Sequence, residues 1–116
     1  LKIFRTGDTY RNDLPMELTA DLLDLGQTKY DIYCAPCHGS VGEGDGPVQV
    51  RAKALGGWVD AKNLHDPSTR EMTTGQLYEA ITDGIRTMAS YKSQLTPEER
   101  WAVVAYIRAL QSTTEK

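Results

Sequence analysis

The run Cys34-Ala35-Pro36-Cys37-His38 constrains this 116-residue chain more than any other stretch. It contains both cysteines of the chain, three residues apart, with a histidine directly after the second. Two thiols one helical turn apart can each add to a vinyl group of one porphyrin, and the next residue then directs an imidazole at the iron. The run therefore reads as a covalent haem c attachment site, with Cys34 and Cys37 as tethers and His38 as the proximal ligand. The rival readings are weaker. A structural zinc site wants four ligands, and the only other histidine or cysteine is the distant His65. A thioredoxin-like disulfide follows a buried strand, whereas Tyr30-Asp31-Ile32-Tyr33 continues a helical stretch.

A second strong iron ligand is expected, and Met88 is the leading candidate. It lies 50 residues after His38, far enough to cross to the other haem face, in the non-periodic stretch Gly84-Ile85-Arg86-Thr87-Met88-Ala89-Ser90-Tyr91. A soft thioether favours reduced iron and raises the potential, as an electron carrier requires. Met16 precedes the haem helix, Met72 falls at the first turn of a later helix, and His65 heads a surface turn before Asp66-Pro67. The plain alternative for any methionine is core filler.

Composition agrees with a small protein built round a cofactor. One domain of this length with 40% apolar residues and a single Phe has a thin core of its own. No apolar run approaches the ~18 residues that span a bilayer. The chain begins at Leu1 rather than Met, which suggests a trimmed form whose export signal or membrane anchor has been removed. The net charge of −3 argues against nucleic acid as a partner. Residues 1–45 hold eight acids and four bases, while the remainder holds eight acids and nine bases. Asp21, Asp24 and Asp31 read as a solvated helix face.

Residues 1–18 form an N-terminal extension without clear periodicity, which either packs on the body through Ile3, Phe4 and Tyr10 or tethers it to an anchor. Residues 19–116 make the helical body. A helix is predicted from Thr19 to Tyr33, with Leu22, Leu23, Gly26, Tyr30 and Tyr33 on one face. The glycines from Gly39 to Gly46 lack the Lys and Ser/Thr of a phosphate loop and read as a tight turn. Thr73 with Gln76 predicts one capping box, and Gly84 the stop of that helix. Thr96, Pro97 and Glu99 predict another, ahead of the stripe Trp101, Val104, Ile107 and Leu110, in a helix ending near Gln111.

These motifs together resemble a monohaem class I cytochrome c over residues about 20–112, which implies an all-α fold of short helices round one haem. The Met loop and the ending Trp-Ala-Val-Val-Ala-Tyr-Ile-Arg-Ala-Leu-Gln are especially similar to cytochrome subunits of the quinol-oxidising alternative complex III and to cytochrome domains of haem-copper oxidases. One departure is Ala89, where the family often has Pro after the ligand Met. The resemblance implies that Gly26 and Tyr30 let the first helix cross the last one closely. It gives the Pro47 carbonyl a role in accepting the His38 Nδ1–H, against the ordinary reading of a turn proline. Arg51, Lys53 and Trp58 become candidates to bind a haem propionate, against plain surface or core roles.

The function implied is electron transfer rather than catalysis, in a respiratory chain, from a quinol-oxidising complex toward a terminal oxidase. Assembly is implied in the bacterial periplasm or on the outer face of the cytoplasmic membrane, as a monomer that touches the membrane only through a missing anchor. The alternative is a haem protein with an exchangeable sixth ligand acting in peroxide chemistry or gas sensing. His65 is the only spare histidine for such chemistry.

Overall fold

The computed structural model describes residues 5–6, 9–56, 61, 63–85 and 88–113. Six helices dominate: α1 (Ala20–Tyr33), α2 (Ala35–His38), α3 (Pro47–Ala54), α4 (Pro67–Arg70), α5 (Thr74–Asp83) and α6 (Pro97–Thr113). The all-α expectation holds with one small addition. Strands β1 (Arg5–Thr6) and β2 (Thr9–Tyr10) pair antiparallel, Arg5 opposite Tyr10 and Thr6 opposite Thr9.

Helix α1 starts where its sequence says it should. Thr19 is extended, and its hydroxyl accepts the Leu22 N–H at 3.0 Å, satisfying one of the orphan donors of the first turn. Leu22, Gly26 and Tyr30 are buried, and Leu23 and Tyr33 half-buried. The buried stripe crosses α6 at Gly26. A Cβ on residue 26 would stand 2.1 Å from the Ala102 carbonyl oxygen and 3.0 Å from the Tyr106 Cβ, so the two backbones approach to a distance that only glycine permits. Leu22, Ala102 and Ala105 fill one side of the crossing. On the other, the rings of Tyr30 and Tyr106 lie 5.3 Å apart and tilted by 57°.

Helix α5 has the predicted capping box: Gln76 N–H donates to the Thr73 hydroxyl at 3.1 Å, and Thr73 N–H to the Gln76 side chain at 2.8 Å. The helix stops at Gly84. It packs on α6 through Tyr78, whose ring stacks on Trp101 at 4.2 Å. Trp101, Val103 and Val104 are among the most deeply buried side chains of the molecule.

Part of the N-terminal extension is bound to this body. Gly75 N–H donates to the Arg11 carbonyl at 2.7 Å, and the Thr74 hydroxyl to the Asp13 carbonyl at 2.9 Å. Tyr10 donates its hydroxyl to Glu79 at 2.5 Å, and Leu14 and Met16 pack against the core. Ile3 and Phe4 lie outside the described residues.

The long connections are tied down by polar side chains of α6. Gln111 donates to the Leu64 carbonyl at 2.8 Å, and the Arg108 guanidinium to the carbonyls of Arg70 and Met72. Met72 itself lies before α5, outside the helical turn assigned to it from sequence, because Thr73 takes the N-cap.

Candidate cofactor site

Cys34 is where α1 ends. Its N–H still bonds the Tyr30 carbonyl at 2.8 Å, while its own carbonyl accepts from Cys37 at 3.2 Å and His38 at 2.8 Å. Cys34, Cys37 and His38 thus share a single turn, with Pro36 inside its first residues, where a missing N–H costs nothing. Both cysteines are unbridged thiols, Cys34 buried and Cys37 half-buried. Burial, reinforced by the neighbouring Cys37, pushes the Cys34 thiol up to about 12.

The turn is braced from below by the glycine loop. Gly44 N–H donates to the His38 carbonyl at 2.7 Å, and Gly46 N–H to the Cys37 carbonyl at 3.1 Å. A Cβ on Gly46 would lie 2.3 Å from the Pro36 carbonyl oxygen and 2.4 Å from that of Ala35, so here too the backbone approach requires glycine. The buried Tyr30 hydroxyl donates to the Gly39 carbonyl at 2.7 Å, linking α1 to the same loop. Desolvation holds that phenol well above its usual range.

Met88 stands in the connection between α5 and α6. Ile85 and Met88 exchange backbone hydrogen bonds of 2.8 and 3.1 Å, which pinch the chain into a narrow turn. The returning limb is anchored by Tyr91 N–H on the Ile81 carbonyl at 2.9 Å and by the Ser90 hydroxyl on the Thr82 carbonyl at 2.6 Å. Three residues beyond Met88, Tyr91 packs against the core cluster that includes Cys34; burial raises its phenol, and Cys34 and Cys37 add to the effect. Its ring meets Tyr33 at 6.1 Å. The structure therefore brings the Met88 connection and the cysteine turn into one neighbourhood.

The other sequence candidates fall elsewhere or remain peripheral. His65 sits in a turn with its Nε2 2.7 Å from the Val41 carbonyl, and Met16 packs on the core. Pro47 opens α3 and is exposed, as is Arg51 on the same helix. Trp58 and the side chain of Lys53 lie outside the described residues. Among the described residues, no three His, Cys, Asp or Glu side chains converge as a metal cage.

Three observations suit a large apolar cofactor. The two thiols are uncommitted to each other. Val48, Val50 and Leu55, from α3 and its end, are more than half exposed, and Ile85 beside Met88 is 39% exposed. The Trp101 Nε1, deeply buried, has no hydrogen-bond partner among the described residues. Sequence reasoning missed the support given by Tyr91 and Tyr30, since a tyrosine in an apolar pattern signals burial but not the target of its hydroxyl.

Among the described residues, no helix is long and apolar enough to cross a membrane. No match was found among curated proteins. Among solved structures, a chain of the Kuenenia stuttgartiensis reducing HAO-like protein complex superposes with a TM-score of 0.66 at 23% identity, over 91% of this chain and 51% of that one. The present chain thus spans about half its length. The KustC0563 c-type cytochrome gives a TM-score of 0.58 at 27% identity, over 74% of this chain and 96% of that one. Cytochrome CL from the marine methylotrophic bacterium Methylophaga aminisulfidivorans gives 0.53 at 21% identity, over 92% of this chain and 79% of that one. A family model described as "Cytochrome C oxidase, cbb3-type, subunit III" matches residues 21–107. The chain belongs to that family of c-type cytochromes, and is a monohaem class I cytochrome c: an electron carrier with covalently attached haem c and its iron.

Proposed function

We propose that this cytochrome carries single electrons with its iron held between His38 and Met88, its haem tethered through Cys34 and Cys37. The observation that carries the reading is the shared turn of Cys34, Cys37 and His38, with the Met88 connection folded back so that Tyr91 packs on the core cluster that includes Cys34 and meets the Tyr33 ring. Bound haem supplies an iron that exchanges between ferric and ferrous states. The chain's own residues do the rest. His38 supplies an imidazole nitrogen from a turn braced by Gly44 and Gly46. Met88 supplies a soft thioether that favours the ferrous state. If His38 and Met88 both held the iron, no site would remain for a substrate, and the protein would act through its potential and its contact with redox partners. Pro47 and Arg51 stay as candidates beside the haem, the first to orient the His38 ring and the second to meet a propionate.

The donor is read as a quinol-oxidising complex and the acceptor as a terminal oxidase of a respiratory chain. Support for the second comes from the family description, which names an oxidase subunit. Thioether attachment fits assembly outside the cytoplasm, in the periplasm or at the outer face of the membrane, with the isolated carrier a monomer.

Substituting Met88→Ala tests the ligation. The variant is expected to keep covalent haem but to lose the low-spin spectrum and the near-infrared thioether band, with a markedly lower potential. A native spectrum and potential would send the search for the ligand to His65 or elsewhere. A wild-type protein that is already high-spin would favour the reading as a peroxide- or gas-reactive haem protein.

A further inference from the structure

Arg100, in the first turn of α6, is 8% exposed and carries a charge that no described carboxylate meets. Guanidinium does not deprotonate in proteins, so its burial is unfavourable unless its fork of donors is satisfied. Here the fork is spent on one place. Nε donates to the Leu95 carbonyl at 3.0 Å and Nη2 to the Lys92 carbonyl at 3.0 Å. Nη1 reaches the Tyr78 hydroxyl at 3.2 Å and the Thr82 hydroxyl at 3.5 Å. Lys92 and Leu95 lie on the limb that returns from Met88, whereas Tyr78 and Thr82 lie on the last turns of α5, from which the connection departs.

The two roots are also joined to each other. Thr82 offers its carbonyl to Ser90, and Ser90 in turn accepts the Lys92 N–H at 3.2 Å. The connection that bears Met88 is therefore a loop closed at its base, and Arg100, which lies outside the loop, is bonded to both ends of that base. The guanidinium carbon Cζ also lies over the Tyr78 ring, 5.7 Å from its centroid. A lysine has the charge but not the planar fork, and cannot serve four acceptors in fixed directions.

We propose that Arg100 is a positioning residue for the sixth ligand: it clamps both roots of the Met88 loop and so sets how readily the thioether leaves the iron. The proposal rests on the reading of Met88 as ligand. Arg108 provides a control, being a half-buried arginine of the same helix that donates to the carbonyls of Arg70 and Met72, away from the roots of the Met88 loop.

The experiment titrates the ferric holoprotein with imidazole, a small ligand that binds only when the sixth position opens, and records the near-infrared thioether band and melting in parallel. Arg100→Lys is expected to bind imidazole about tenfold more tightly than wild type, the scale of one lost charge-assisted hydrogen bond. Arg108→Lys is expected to stay within about twofold even where its melting temperature falls as far. Tyr78→Phe removes one acceptor while keeping the stacked ring, and should shift imidazole affinity in the same direction by less. Should Arg100→Lys fail to fold, that variant carries the test. Equal imidazole affinities for the Arg100 and Arg108 variants, or an unchanged affinity in Tyr78→Phe, would overturn the clamp. Failure of the ligand reading has its own signature: Met88→Ala would then bind imidazole no better than wild type, and the clamp would fall with it.

Discussion

The α1–α6 crossing and the Met88 loop are held by different physics. At the crossing, Gly26 admits the Ala102 carbonyl, Leu22, Ala102 and Ala105 close one side, and Tyr30 with Tyr106 closes the other. Among the described residues its one ion pair is Lys29 with Glu99 at 3.4 Å, partly exposed and of little weight. The loop has the reverse character. Its ends are fixed by directional bonds from Arg100, Ser90 and Tyr91 to backbone carbonyls, and Ala89 and Ser90 beside Met88 are exposed. Shape makes the crossing intolerant of added volume but indifferent to polarity. Hydrogen bonds make the loop sensitive to the loss of one donor. For an electron carrier the division is useful, because the scaffold resists unfolding by packing while the segment proposed to supply a ligand is held by directional bonds.

The largest effect is expected from Gly26→Leu. The first added carbon would already overlap the Ala102 carbonyl, and backbone cannot yield as a flexible side chain would. Overpacking of this kind costs about 1–3 kcal/mol, and more where backbone must move. The denaturant midpoint should fall substantially, while mass spectrometry still finds covalent haem. A midpoint equal to that of wild type would mean that the crossing is not what holds the two helices together.

Next in size is removal of residues 1–18, which strips the flank of the crossing, where Leu14 and Met16 pack on Leu22, Ala102 and Ala105, and leaves the loop alone. It takes away the Arg11 and Asp13 carbonyls that receive Gly75 and Thr74, and with them the contacts of Leu14 and Met16. Full burial of one such apolar side chain is worth ~1.5–3 kcal/mol, and these are half-buried, so the melting temperature should drop by several degrees. The absorption spectrum should not change. Coincident melting curves would assign the segment to a spacer role instead.

The crossing was legible in the sequence and the clamp was not, for a reason that follows from the same contrast. Gly26 interrupts a helical stripe at a cost that asks for a reason, and the family resemblance supplies the crossing as that reason, while the capping boxes at Thr73 and Thr96 are read from spacing alone. Cys34, Cys37 and His38 are legible because their chemistry fixes their spacing. Arg100, Arg108 and Gln111 look like the polar face of an amphipathic helix, because periodicity cannot tell a solvated guanidinium from one buried against carbonyls. The same limit hides Tyr30 and Tyr91, whose hydroxyl partners and electrostatic neighbours are set by loops with no sequence period. Helices α3 and α4, short and weakly patterned, also escaped.

The smallest expected effect lies where the two regions meet, at the start of α6. Thr96 N–H donates to the Glu99 carboxylate at 2.9 Å, and Glu99 N–H to the Thr96 hydroxyl at 3.2 Å, one residue before Arg100. Replacing Thr96 with Ala removes the hydroxyl and should cost about 1 kcal/mol. The carboxylate contributes with a definite pH dependence. The Thr96 N–H, more than Lys29, holds Glu99 below its ordinary value of 4.5, against an opposing effect of burial. A pKa depressed on folding means that the stabilisation is present above the unfolded value and is lost as pH falls through the folded one. Glutamine keeps an acceptor for Thr96 but not the charge, so Glu99→Gln should melt slightly below wild type at neutral pH and converge with it in the acid range below 4.5. If the start of α6 also steadies Arg100, Thr96→Ala should tighten imidazole binding by a fraction of the Arg100→Lys shift, whereas Gly26→Leu at equal loss of stability should not. An imidazole affinity that simply followed stability across all three variants would erase the distinction between a packed scaffold and a hydrogen-bonded loop.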